Sequence, residues 1–136
     1  MEKKKLNILI VEDEMVSQRL IREILTPYGN CDIAENGEEA VNIFRMSLDN
    51  GNGYDLICMD IMMPEVSGHQ AIRLIREIEE SYGLEINECV NIIMISALDD
   101  PRNVVEAFKD HGATGYITKP VKRDELLKEI RSLNLI

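Results

Sequence analysis

Residues Tyr54–Gly68 read YDLICMDIMMPEVSG, and this stretch decides the fold. Its first part is a nearly continuous run of apolar residues, which predicts a strand from Tyr54 to Met59 that is buried on both faces. The run ends on a carboxylate, Asp60, and then breaks into a loop marked by Pro64 and Gly68. In open parallel sheets the residues just after the strands form the functional edge, so the position of Asp60 predicts chemistry there.

Four other short runs of the same kind occur along the chain, and segments with helical spacing lie between them. The runs are Leu6 to Val11, Cys31 to Ala34, Val90 to Ser96 and Gly115 to Thr118. Five strand–helix repeats, with connections too long for hairpins, predict right-handed crossovers and a mainly parallel five-stranded sheet. The fold class is therefore α/β, an open doubly wound sandwich of three layers.

The predicted helices have identifiable ends and apolar faces. In the first helix, an apolar stripe is expected from Val16, Leu20 and Ile24 together with Ile21 and Leu25. The second and third helices are expected to start after Asn36 and Ser67, each with a potential capping box. The fourth is expected to start near Asp99-Asp100-Pro101 and run to Asp110, and the fifth has an apolar face formed by Leu126, Leu127, Ile130 and Leu133.

Length and composition indicate one folded unit with an acidic surface. The 136 residues are 45% hydrophobic, and 25 acidic against 15 basic residues give a formal charge of −10. This charge argues against binding to nucleic acid or to anionic lipid. Residues 1–5 contain the only dense basic run and are expected to be a solvated tail, with the domain spanning residues 6–136. The chain contains no apolar run near the roughly 18 residues of a membrane span, and three cysteines without metal-site spacing suggest reduced thiols and a cytoplasmic location.

Charged and hydroxyl side chains stand at the ends of four predicted strands. Glu12 and Asp13 follow the first strand, Asp60 follows the third, Ser96 ends the fourth and Lys119 follows the fifth. Converging carboxylates repel each other unless a cation neutralises them, and oxygen ligands without clustered His or Cys favour Mg²⁺. The ammonium and the hydroxyl could then contact phosphate oxygens, so the sequence predicts a magnesium site built for a phosphoryl group.

These residues fall in four motifs that resemble the receiver domain of two-component response regulators. The motifs are ILIVEDE, MDIMMPEVSG, IIMISA and GYITKP, and the resemblance spans about Leu6 to Leu133. It implies the flavodoxin-like fold with strand order 2-1-3-4-5. It also implies that Asp60 accepts a phosphoryl group, with Mg²⁺ as cofactor and a histidine kinase or histidine phosphotransfer protein as donor.

The resemblance assigns roles to individual residues of this chain. Mg²⁺ ligands would be Asp13, Asp60 and the backbone carbonyl of Met62, with Glu12 acting through water. Lys119 and Ser96 would contact the phosphoryl group, and the pair Ser96 and Tyr116 would form the conformational switch. Pro64 and Gly68 would shape the loop, and a cis peptide is expected between Lys119 and Pro120.

Activation is expected to change the face formed by the fourth helix, the fifth strand and the fifth helix. Since the chain ends just after its last predicted helix, output is expected to pass through another, unidentified protein, from a monomer or weak dimer. No enzymatic activity is expected beyond gain and loss of the domain's own phosphoryl group. Two alternatives remain: a receiver fold that binds partners without being phosphorylated, and a magnesium phosphohydrolase. A phosphohydrolase of this kind is expected to carry a D-x-D motif. This chain lacks the second aspartate of that motif, because Ile61 and Met62 follow Asp60.

Overall fold

The computed structural model describes residues 5–61, 67–96 and 112–136. Within them, five strands form one parallel sheet in the order β2-β1-β3-β4-β5, which confirms the predicted topology. The strands are β1 (Leu6–Val11), β2 (Gly29–Ala34), β3 (Leu56–Asp60), β4 (Asn91–Ser96) and β5 (Gly115–Thr118). The helices are α1 (Met15–Leu25), α2 (Gly37–Asp49), α3 (Gly68–Ser81) and α4 (Arg123–Ser132), with short 3₁₀ turns at Thr26–Tyr28 and Ile86–Glu88.

Helix α4 corresponds to the fifth helix predicted from the sequence. The fourth predicted helix, from about Pro101 to Asp110, lies outside the described residues, as do Met62 and Pro64.

The sheet separates two apolar clusters, one on each face. The first cluster lies beneath α2 and α3 and includes Phe44, Ile72 and Ile75, all at most 1% exposed. The second lies beneath α1 and α4 and is built from Ile21, Leu25 and Leu126 together with apolar side chains of β1, β3, β4 and β5. All five residues of β3 are buried, as predicted for a strand covered on both faces, but the strand spans Leu56–Asp60 and not the predicted Tyr54 to Met59.

The second strand begins two residues earlier than its apolar run indicates. Gly29 pairs with Leu6, and a Cβ on Gly29 would lie 2.1 Å from the backbone oxygen of Leu6. Only glycine therefore allows the two backbones to approach so closely. The strand predicted from Cys31 therefore extends back through Asn30 to Gly29.

The first helix buries only part of the apolar stripe that its sequence predicts. Ile21, Ile24 and Leu25 are buried, but Val16 is 72% exposed and Leu20 is 39% exposed. The predicted stripe through Val16, Leu20 and Ile24 is thus wrong in its first half. Val16 and Leu20 instead form an apolar surface on the outer side of α1, together with Met15, which is 69% exposed.

A buried ion pair anchors the end of α3 to the start of β4. Arg76 Nη1 lies 2.6 Å from Glu79 Oε1, and Glu79 is only 2% exposed. The other oxygen, Glu79 Oε2, accepts a hydrogen bond from Val90 N at 2.6 Å. Arg76 also donates to the carbonyl oxygens of Val90 and Gly112. These contacts fix the long connection before β4 against α3, at the end of the sheet away from Asp60.

No helix in the described ranges is both long enough and apolar enough to cross a bilayer. All three cysteines are free thiols, as the sequence predicts, and only Cys58 is fully buried.

Candidate functional site

Three carboxylates meet at the carboxyl edge of the sheet. Glu12 and Asp13 follow β1, and Asp60 is the last residue of the adjacent strand β3, whose Met59 pairs with Val11. The shared register brings Glu12 beside Asp60, and one oxygen from each of the three groups lies within 4.8 Å of the others. Glu12 and Asp60 are buried, at 1% and 3% exposure, whereas Asp13 is exposed. The cluster is therefore open to solvent on the side of Asp13.

Lys119 contributes the positive charge of this site. Its Nζ lies 2.7 Å from Glu12 Oε1 and 3.3 Å from Asp60 Oδ2, so a single ammonium contacts both buried acids. Its backbone N–H donates to the carbonyl oxygen of Ser96 at 2.6 Å. The peptide between Lys119 and Pro120 is cis, as predicted. The structure thus places Lys119 where the sequence predicts it, and adds a contact with Glu12 that the sequence does not indicate.

The electrostatics of the cluster reflect burial and mutual contact. Burial raises the pKa of Glu12, but hydrogen bonds with Asp60 and Lys119 outweigh it and leave that pKa below its usual value. The pKa of Asp13 is raised by burial and by its contact with Glu12. Burial lowers the pKa of Lys119, but the contacts with Glu12 and Asp60 raise it by a larger amount. The net pKa lies above its usual value, so the amine stays protonated. Three acids face one ammonium, which leaves an excess of negative charge.

The donor atoms of this cluster suit a hard divalent cation. All of them are carboxylate oxygens, which Mg²⁺ prefers over nitrogen or sulfur ligands. A bound cation of charge two would balance the excess that Lys119 leaves. The residues Glu12, Asp13 and Asp60 therefore fit the predicted metal.

The start of α3 is packed directly against the backbone of Asp60. A Cβ on Gly68 would lie 2.5 Å from the carbonyl oxygen of Asp60 and 2.9 Å from the Cα of Ile61. Gly68 N donates to Ile61 O at 3.2 Å, and the side chains of Ser67 and Gln70 complete a capping box around this helix start. Glycine at position 68 is thus required by a close approach of two backbones, as the sequence predicts for a loop-shaping residue.

Ser96 and Tyr116 lie on the same face of the sheet, on neighbouring strands. Ser96 ends β4 and is 1% exposed, and it pairs with Thr118 of β5. Because alternate residues of a strand share a face, Tyr116 lies diagonally across from Ser96. The ring of Tyr116 is half-buried and packs against the apolar cluster beneath α2 and α3. The two predicted switch residues are therefore adjacent in space.

One residue at the site is absent from the sequence prediction. Gln18 of α1 donates from its side-chain nitrogen to the carbonyl oxygen of Glu12 at 2.6 Å. This bond ties the first helix to the residue that follows β1. No motif marks Gln18, which lies six positions after Glu12 in the first turn of α1.

Comparisons with known proteins match this architecture along nearly the whole chain. A family model described as the response regulator receiver domain matches residues 8–131. The two-component response regulator ORR41 of Oryza sativa subsp. japonica is 35% identical over 129 residues, which cover 93% of this chain and 92% of that protein.

Two solved structures share the fold at similar levels of identity. One is the co-crystal structure of the Saccharomyces cerevisiae phosphotransfer protein Ypd1 with the receiver domain of Ssk1. The matched chain has a TM-score of 0.82 at 30% identity, and the match covers 100% of this chain and 95% of that one. The other is the CheX–CheY complex with BeF₃ and Mg²⁺ from Borrelia burgdorferi, with a TM-score of 0.81 at 29% identity and coverage of 96% and 90%.

Several of the first curated relatives are much longer proteins, and some of them are histidine kinases. The match covers between 7% and 20% of their length. The family model, which spans most of the sheet and all the site residues described above, nevertheless settles the family. The chain belongs to the response regulator receiver domain family of two-component signalling.

Proposed function

We propose that Asp60 accepts a phosphoryl group and that this event switches the domain between two signalling states. The observation that carries the proposal is that the carboxylate of Asp60 lies beside the acids after β1 and that its Oδ2 lies 3.3 Å from the ammonium of Lys119. An Asp60 oxygen would attack the phosphorus in line with the bond to the donor nitrogen. The phosphorus–nitrogen bond breaks as the new phosphorus–oxygen bond forms, and the product is an acyl phosphate.

Magnesium fits this chemistry as the cofactor. It would be held by Asp13, Asp60 and the carbonyl of Met62, with Glu12 acting through water. When bound, Mg²⁺ neutralises the phosphoryl oxygens so that an anionic nucleophile can approach them. Lys119 would supply a second positive charge next to Asp60, and its raised pKa keeps it charged at neutral pH.

The donor is proposed to be a histidine kinase or a histidine phosphotransfer protein. The structural neighbour Ssk1 was crystallised with the phosphotransfer protein Ypd1, which supports a donor of this class. The outer side of α1 offers a docking surface, because Met15, Val16 and Leu20 are exposed within three turns of the acids. A protein donor would bury these side chains when it brings its phosphohistidine to Asp60.

The switch is proposed to involve Ser96 and Tyr116. A phosphoryl group on Asp60 would draw the Ser96 hydroxyl toward it, and the ring of Tyr116 would move into the space that Ser96 leaves. Because Tyr116 lies on edge strand β5, its movement would alter the face that β5 shares with α4 and the fourth predicted helix. An output protein would read this face, and the domain would turn over no separate substrate.

Intact-mass spectrometry tests the acceptor chemistry. The chain is incubated with Mg²⁺ and acetyl phosphate, beside Asp60→Asn, a sample with chelator, and Asp32→Asn as a control carboxylate of the same sheet. Gain of one phosphoryl group in the parent and in Asp32→Asn, but not in the other two samples, is expected. Labelling of folded Asp60→Asn to the level of the parent would contradict the proposal.

A second arm tests the donor surface. Val16→Asp should keep its labelling by acetyl phosphate, because Val16 is 72% exposed and is not part of the acidic cluster, but should slow transfer from a phosphorylated histidine phosphotransfer protein. Equal transfer rates for the parent and Val16→Asp would place the docking surface elsewhere. A folded parent chain that binds Mg²⁺ yet never gains a phosphoryl group would favour the alternative, a receiver fold that acts only by binding.

A further inference from the structure

Three Asn-Gly steps occur in the chain, at Asn36-Gly37, Asn50-Gly51 and Asn52-Gly53. In such a step the backbone nitrogen of glycine can attack the side-chain carbonyl carbon of the preceding asparagine. Glycine favours this reaction because it has no Cβ to restrict the approach of the two groups. The three steps share this chemistry, so any difference between them comes from the structure.

The first step is held by a helix cap. Asn36 precedes α2, and its side-chain oxygen accepts a hydrogen bond from Glu39 N at 2.8 Å. Gly37 is buried as the first residue of the helix. The side-chain carbonyl of Asn36 is therefore fixed in an orientation that serves the cap.

The second step is held by the other end of the same helix. Asn50 is the C-terminal cap of α2, with helical dihedral angles, and its backbone nitrogen donates to Met46 O at 3.0 Å. The nitrogen that would attack, Gly51 N, donates to Leu48 O at 3.1 Å. This bond must break before Gly51 N can react.

In the third Asn-Gly step, within the part of the chain that the structure describes, neither a cap fixes the asparagine side chain nor a hydrogen bond holds the glycine nitrogen. Asn52 is exposed and lies outside the helices and strands. Its backbone is anchored by a bond from Asn52 N to Ser47 O at 2.9 Å, but Gly53 N donates no hydrogen bond to the described residues. Asn52 also lines a cavity of about 460 Å³ together with Asp32 and Tyr54, so water reaches it.

We propose that Asn52 is a site of spontaneous deamidation in the folded protein. Gly53 N loses its proton and attacks Cγ of Asn52, a carbon–nitrogen bond forms, and ammonia leaves to give a cyclic succinimide. Water then opens the ring at either carbonyl, which yields aspartate or isoaspartate. The balance is asparagine plus water to a carboxylic acid plus ammonia, with no change in oxidation state.

The product would alter the amino edge of the sheet. The formal charge becomes −11, one unit below the −10 of the unmodified chain. The new carboxylate appears in the cavity that already holds Asp32, whose oxygen accepts the hydroxyl of Tyr54 at 2.7 Å. This edge is opposite to the one that carries Asp60, so the proposal does not depend on phosphoryl transfer.

Peptide mapping of aged protein tests the proposal. The full chain is incubated at mildly alkaline and mildly acidic pH, in native buffer and in denaturant, and then digested with trypsin. Fragment ions of the peptide Met46–Arg73 separate Asn50 from Asn52, and another peptide reports Asn36. In native buffer, a gain of one mass unit at Asn52 is expected several-fold faster than at the other two sites, and faster at alkaline pH. In denaturant, the three rates should converge.

The variant Gly53→Ala provides the matched control. An added Cβ would lie 3.3 Å from Leu48 Cδ2, the end of a flexible side chain, so the fold should tolerate it. Circular dichroism checks this, and Asn52→Gln offers a second variant that leaves residue 53 unchanged. Both should lose most of the modification at position 52. Equal native rates at the three sites, or an unchanged rate at Asn52 in folded Gly53→Ala, would overturn the proposal.

Discussion

The substitution Glu79→Ala should make the chain unfold more easily, because it removes both the ion pair with Arg76 and a hydrogen bond from the backbone N–H of Val90. The carboxylate of Glu79 is 2% exposed and accepts from Arg76 Nη1 and Val90 N, each at 2.6 Å. Loss of the second bond leaves the buried Val90 N–H unpaired, which costs about 1–3 kcal/mol. Loss of the first removes a hydrogen bond between charged groups, worth about 1.5–3 kcal/mol.

For the hydrogen bond with Arg76, we expect a loss in the lower half of its range. The Arg76 side chain is 23% exposed and keeps its bonds to the carbonyls of Gly112 and Val90, so solvent and backbone compensate part of the loss. We therefore expect a decrease of about 3 kcal/mol in the free energy of unfolding, at the low end of the about 3–5 kcal/mol for a broken buried pair. For a domain of this size, that corresponds to a fall of about 10 °C in Tm.

Urea denaturation followed by circular dichroism measures this change, since the chain contains no tryptophan. Glu79→Gln keeps the size and one acceptor and should lose about half as much as Glu79→Ala. The exposed neighbour serves as the control, and Glu80→Ala should change stability by less than about 0.5 kcal/mol. The reasoning fails if Glu79→Ala loses under about 1 kcal/mol, or if its effect adds to that of Arg76→Met without coupling.

Three further predictions concern the start of α3 and the thiols. Gly68→Ala should destabilise the chain by about 1–3 kcal/mol, because the new Cβ meets the backbone of Asp60; an unchanged urea midpoint would show that the helix shifts without cost. Ser67→Ala should cost about 1 kcal/mol through loss of the cap to Gln70 N, and Ser67→Asp should restore most of it in the same titration. Burial raises the pKa of the Cys58 thiol to about 12, so the native chain should show slow alkylation at Cys58 and faster alkylation at the other two cysteines. Equal rates for all three thiols without denaturant would contradict the burial of Cys58.

The sequence predicts the parts of this molecule that local patterns determine. Strands β1 and β5 have the predicted bounds, and α2 and α3 begin after the predicted caps at Asn36 and Ser67. These features depend on residues within one turn or one strand of each other. The placement of the acids at one edge follows as well, because parallel strands all end on the same side.

Tertiary contacts decide what the sequence does not predict. Arg76 and Glu79 carry no motif in the sequence, but contacts with the backbone of Val90 and Gly112 leave Arg76 partly buried and Glu79 fully buried. Val16 and Leu20 fit the same predicted stripe as Ile21, Ile24 and Leu25, yet only the last three are buried. The contact between Lys119 and Glu12 joins residues 107 positions apart, and no local pattern encodes such a distance.

The strand order also predicts different backbone mobility for Asp60 and Lys119, which form an ion pair at the site. Asp60 ends β3, which lies in the middle of the sheet with a strand on either side and apolar clusters on both faces. Lys119 follows β5, an edge strand of four residues with one neighbour. Amide hydrogens of β3 should therefore exchange only through global unfolding, and those of β5 through smaller local openings. The carboxylate of Asp60 is thus expected at the end of the least mobile strand of the sheet, and the ammonium of Lys119 directly after the strand whose backbone opens more readily.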